Sequence, residues 1–121
     1  MPLGVLVIKW DNRLGGVIES RFLRRAWVPP SLPTTLLSMH FPSMKVDQNV
    51  TDYVQTKMGN LRVLSYFMGT KAKRSIAVLL DINEDSTSLQ TKIIKLAEKI
   101  NEDLEGYSCK LGELYNKIFK K

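Results

Sequence analysis

One cysteine and one histidine are the residues of this chain best suited to nucleophilic or metal chemistry. Their spacing argues against both uses. A catalytic thiol needs a histidine partner within hydrogen-bond reach, and Cys109 and His40 lie far apart in the sequence. A zinc site needs several thiolates or imidazoles together. A single thiol cannot close an internal disulfide, and that usage fits a reducing compartment. Gly15-Gly16 lacks the Lys-Ser/Thr ending of a phosphate loop and the third spaced glycine of a dinucleotide fingerprint. Lys57-Met58-Gly59-Asn60 and Gly69-Thr70-Lys71 fail the same comparison. The carboxylates Asp11, Glu19, Asp81, Glu84 and Asp85 fall near the ends of apolar runs, where solvation explains them without an acid/base pair. The expectation is a protein without catalytic residues, metal or cofactor.

Charge is the stronger signal. The 121 residues carry a net +6, a bias towards acidic partners that is also ordinary for solubility. Arg21, Arg24 and Arg25 cluster beside Trp27; Lys71, Lys73 and Arg74 form a second group; Lys117, Lys120 and Lys121 form a third. Brought together, Arg21, Lys71, Lys73, Arg74, Lys120 and Lys121 would make a surface for anionic head groups or an acidic protein face. Tyr53, Tyr66 and Phe67 sit on candidate strands and could act as stacking platforms for single-stranded nucleic acid. The helix after them is rich in Glu and Asp, which makes nucleic acid the weaker expectation.

Several elements must position these groups. Leu3 to Trp10 is short, apolar and rich in β-branched residues, which predicts a buried strand. Asp11 to Gly16 supplies turn chemistry, and Val17 to Phe22 returns as the second strand of a hairpin. Pro29, Pro30 and Pro33 forbid a central strand. Ser31 can cap a helix with Pro33 in its first turn, over about residues 31–41. Runs at 51–58, 61–67 and 75–82 predict a three-stranded meander, the last dense enough in apolar residues to be central. Thr87 and Gln90 suggest a capping box. Leu89, Ile93, Leu96, Ala97, Ile100 and Leu104 then mark an amphipathic helix ended by Gly106. A last helix spans about 108–119, with Leu111, Leu114, Tyr115 and Ile118 on one face. The fold class is therefore α+β: one domain over 1–121, a five-stranded mainly antiparallel sheet with helices on its faces, in the order β-β-α-β-β-β-α-α.

That order resembles the longin and roadblock-like domains. Gly4 to Asp11 followed by Leu14-Gly15-Gly16-Val17-Ile18-Glu19 is similar to their opening hairpin, and Leu61 to Gly69 and Ile76 to Leu80 resemble their middle strands. Small proteins of this kind occur in archaea. The Pro-rich stretch 29–33 departs from the family, replacing a longer and more regular first helix. The resemblance implies a non-enzymatic adaptor of vesicle-trafficking type. Such an adaptor binds a small GTPase or another longin or roadblock protein, or pairs with its own copy through a sheet edge or helix. It would work in the cytoplasm, peripheral to a membrane. No run approaches the ~18–20 apolar residues of a spanning helix, and the apolar start has no basic leader.

Contact with a partner is expected from the irregular segment: Arg24, Arg25, Trp27, Leu36, Met39, His40 and Phe41. A profilin-like module binding actin or acidic lipid is the alternative. It matches in length and in placing helices against a small sheet, but profilins begin with a helix.

Overall fold

The structure, a computed structural model, describes residues 4–11, 15–23, 31–36, 52–58, 61–68, 74–81 and 89–119. Five strands form one antiparallel sheet: β1 Gly4–Asp11, β2 Gly15–Leu23, β3 Asp52–Met58, β4 Leu61–Phe67 and β5 Arg74–Asp81. Their order across the sheet is β2-β1-β5-β4-β3. The hairpin and the meander expected from the sequence are thus both present, joined where β1 pairs with β5. Residues 32–36 are helical (α1), followed later by α2 Gln90–Glu102 and α3 Leu111–Phe119.

Strand periodicity divides the core into two layers. Val5 and Val7 of β1, Leu64 of β4 and Ile76, Val78 and Leu80 of β5 pack under α2 and α3. The alternate residues Leu6, Ile8, Val63, Phe67, Ala77 and Leu79 pack with Leu32 and Leu36 of α1. A strand buried on both faces needs apolar residues at consecutive positions, and residues 76–80 of β5 are all buried. Each such Val, Leu or Ile contributes about 1.5–3 kcal/mol by leaving water.

The helices differ from expectation at their ends. Ser31 stands in the turn before α1; the Thr35 N–H donates to the Ser31 carbonyl at 3.0 Å, with Pro33 in the first turn as expected. The Pro33 carbonyl lies 2.8 Å from where a Cβ would stand on Gly16, so glycine there lets α1 approach β2. Residues 37–41 of the expected helix lie outside the described residues, as does Thr87. The cap position of α2 is Leu89, which makes no side-chain cap, so the helix starts later than a Thr87–Gln90 capping box requires. It also stops before Gly106. Asp103 leaves helical geometry at φ −147° and ψ 71°, and its carboxylate accepts from the Gly106 N–H at 3.0 Å. The Tyr107 N–H then donates to the Asp103 carbonyl. This tight reversal opens a 3-10 turn over Tyr107–Lys110, from which α3 continues. The expected single helix from 108 is therefore a 3-10 turn followed by a nine-residue α-helix.

Inward-facing apolar spacing holds α3 to the sheet. Leu111, Tyr115 and Phe119 are buried, with Leu114 and Ile118 partly so. Tyr115 lies between Phe22 of β2 and Phe119, with ring centroids 5.1 Å from each. Gly112 passes the Phe22 ring so closely that a Cβ would stand 3.1 Å from it.

Candidate functional site

Most residues named for partner contact lie outside the described residues: Arg24, Arg25, Trp27, Met39, His40 and Phe41. Leu36 is described and corrects the expectation. It is fully buried in the layer beneath α1. Helical spacing brings Leu32 and Leu36 to one face, and the sheet takes that face. Leu36 therefore anchors the segment and offers nothing to a partner.

The basic surface divides in the same way. Lys71, Lys73, Lys120 and Lys121 lie outside the described residues. Arg21 is exposed on β2. Arg74 is a correction: its side chain is only 11% exposed and is committed to Glu19. The Arg74 Nε donates to Glu19 Oε1 at 2.8 Å and its terminal nitrogen to Oε2 at 3.0 Å, a bidentate pair. The Tyr107 hydroxyl donates to the same Oε1. Glu19 was read from sequence as a solvated strand-end carboxylate; it is instead the acceptor of a three-part clasp joining β2, β5 and the turn before α3.

A β-bulge explains how Glu19 reaches that position. The β1–β2 register runs Val7 to Ser20 and then Ile8 to Ile18, leaving Glu19 without a partner across the ladder. The extra residue re-aims one side chain. Partial burial raises the Glu19 pKa, but the hydrogen bonds from Arg74 and Tyr107, with the charges of Arg74 and Lys9, outweigh it and hold the carboxyl below the usual 4.5. Arg74 is raised above its ordinary value, first by its hydrogen bond to Glu19. Burial, then the hydrogen bond to Glu19, push the Tyr107 phenol far above the ordinary 10.0. Each member remains in the protonation state the clasp needs across the neutral range.

The sheet's two edges are unequal. The β2 edge is bulged at Glu19, approached by the Pro33 backbone and contacted by α3. Bulges and coverage blunt an edge against further pairing. β3 keeps an unbroken seven-residue register with β4, from Asp52 opposite Phe67 to Met58 opposite Leu61. Among the described residues, no strand lies beyond it. Its position is fixed by Tyr53, whose ring packs on Tyr66 with centroids 4.8 Å apart and whose hydroxyl donates to the Gln90 carbonyl at 3.0 Å. Tyr53→Phe, which removes that bond, is expected to cost about 1 kcal/mol and to quicken amide exchange in the first turn of α2. Unchanged exchange there would show that the bond does not hold the helix. Of the residues named as stacking platforms, Tyr53 and Tyr66 pack against each other in a tilted arrangement, and Phe67 is buried in the core.

Residues 89–119 contain five lysines and five carboxylates, so they carry none of the net +6. Cys109 is exposed on the 3-10 turn. Among the described residues, no three His, Cys, Asp or Glu side chains stand together as metal ligands. No described helix is long and apolar enough to cross a membrane.

Tyr107 and Phe119 were missed by the sequence reading. For Tyr107 the only signal available was aromatic character, since the Asp103 reversal breaks the helical period before it; Phe119 could have been found from its spacing of four and eight residues after Tyr115 and Leu111. No family model, curated protein or solved structure matches the chain.

Proposed function

We propose that the protein is a non-enzymatic adaptor of longin type that recognises a protein partner, a small GTPase or another longin or roadblock protein, in a trafficking-type assembly. It would act in the cytoplasm, peripheral to a membrane. The β3 edge carries this reading. Among the described residues it is an unbroken strand at the rim of the sheet, the geometry by which a partner strand or a second copy adds main-chain hydrogen bonds. The observed order of elements agrees with the order that the resemblance implies. The pairing of Arg74 with Glu19 supports recognition by shape over attraction by charge, because it withdraws one cation from the expected anionic surface.

Affinity capture from lysate at low and moderate salt, followed by mass spectrometry, tests the reading. Recovery of a small GTPase, or of a longin or roadblock protein, at both salt concentrations is the expected result. Recovery of actin would replace this reading with a profilin-like one. Capture of lipid or nucleic acid alone, lost as salt rises, would overturn it.

A further inference from the structure

A hollow of about 170 Å³ opens between the end of β4 and α2, lined by Tyr66, Met68, Ile94, Ala97, Glu98 and Asn101. Its size limits what it can hold. A cavity of about 150 Å³ takes one benzene, whereas small-molecule sites begin near 300 Å³. There is room for one side chain.

The lining limits the choice further. Met68, Ala97 and Ile94 provide apolar wall, and Ile94 remains 37% exposed, one of two such large apolar side chains among the described residues. Tyr66 presents an aromatic ring, held in place by its contact with Tyr53. The Met68 N–H donates to the Arg74 carbonyl at 3.0 Å, which ties the end of β4 to β5. At the rim, Glu98 has no ion-pair partner among the described residues. Lys99 beside it pairs instead with Glu102 at 3.8 Å. Asn101 adds an amide.

An apolar wall, an aromatic ring and an uncompensated carboxylate match an apolar stem ending in a planar cation. We propose that this hollow receives one arginine side chain from a protein partner. Its methylenes lie along Ile94 and Met68, and its guanidinium stacks on Tyr66 and pairs with Glu98. Arginine fits better than lysine because its planar head both stacks on rings and meets a carboxylate with two donors. The proposal deepens the adaptor reading and rests on it, adding a second contact on the face above β4, near but separate from the β3 edge.

The test is a methyl NMR titration of the purified protein with Ac-Ala-Arg-Ala-NH2. The control peptide carries citrulline, the neutral near-isostere of arginine. Saturable shifts at the Ile94, Ala97 and Met68 methyls are expected, about tenfold weaker with citrulline or in Glu98→Gln, a loss equivalent to one charge-assisted contact. Glu98 is exposed, so that variant should keep its fold, and Lys95→Gln, outside the hollow, should titrate like the parent. Equal shifts with citrulline, no effect of Glu98→Gln, or shifts spread over other methyls would overturn the proposal. So would concentration-dependent shifts of the same methyls without peptide, which would assign the hollow to a second copy. Because the probe is synthetic, a negative titration leaves the adaptor reading standing, and a failed capture from lysate does not produce one.

Discussion

Tyr115→Ala is expected to lower the unfolding free energy by about 3–5 kcal/mol, the cost of removing a buried aromatic ring and leaving a cavity. Tyr115 is fully buried, with Phe22 and Phe119 rings against it and Gly112 drawing the helix close to β2. The surrounding groups are fixed in β2 and α3 and cannot easily collapse into the space. A domain of this size has about 5–15 kcal/mol in total, so the variant should unfold at much lower urea. A loss below about 1 kcal/mol would show that α3 contributes little to the cooperative unit.

The second large effect is at the clasp. Arg74→Met keeps the aliphatic stem and removes the charge, leaving Glu19 with a side chain only 24% exposed and no bidentate donor. Breaking a fully buried pair costs about 3–5 kcal/mol; retained solvent at Glu19 reduces this to about 2 kcal/mol. Adding Glu19→Gln should recover part of the loss, because the orphaned charge is then gone. The pH dependence follows from the direction of each shift. Glu19 has a lowered pKa in the folded state, so its contribution is present above the unfolded value near 4.5 and fades as pH falls through the folded value. Tyr107 is raised, so its contribution is complete below about 10 and diminishes as pH climbs beyond it. Denaturation curves across pH should show both flanks in the parent and a shallower acid flank in Arg74→Met. Identical acid flanks in the two proteins would remove Glu19 from the account.

The two positions also show what the sequence could reveal. The strands were legible because apolar residues occupy consecutive positions of β1 and β5, and burial on both faces leaves that pattern. The core face of α2 was legible because Ile93, Leu96, Ala97 and Ile100 recur at three and four residues. Glu19 was not, because a bulge adds one residue without altering composition, and alternation gives no sign of where the register slips. Arg74 looked like one of three clustered cations, since its partner lies 55 residues away in the chain. Leu36 was misassigned for a related reason: its periodicity showed that it shares a face with Leu32, but not whether the sheet or a partner covers that face. The ends of α2 failed for local reasons. Asp103 ends the helix with its own turn, ahead of the glycine that normally signals a stop.

The adaptor account makes shape, more than charge, the basis of recognition, and this has a direct readout. The dissociation constant of the captured partner should be measured at 50 and 200 mM salt. Main-chain pairing at β3, with one arginine contact beside it, predicts weakening of less than about tenfold across that range. Binding through 6–10 contacts to nucleic-acid phosphates would weaken about 10³–10⁵-fold, and any loss well beyond tenfold would contradict the account.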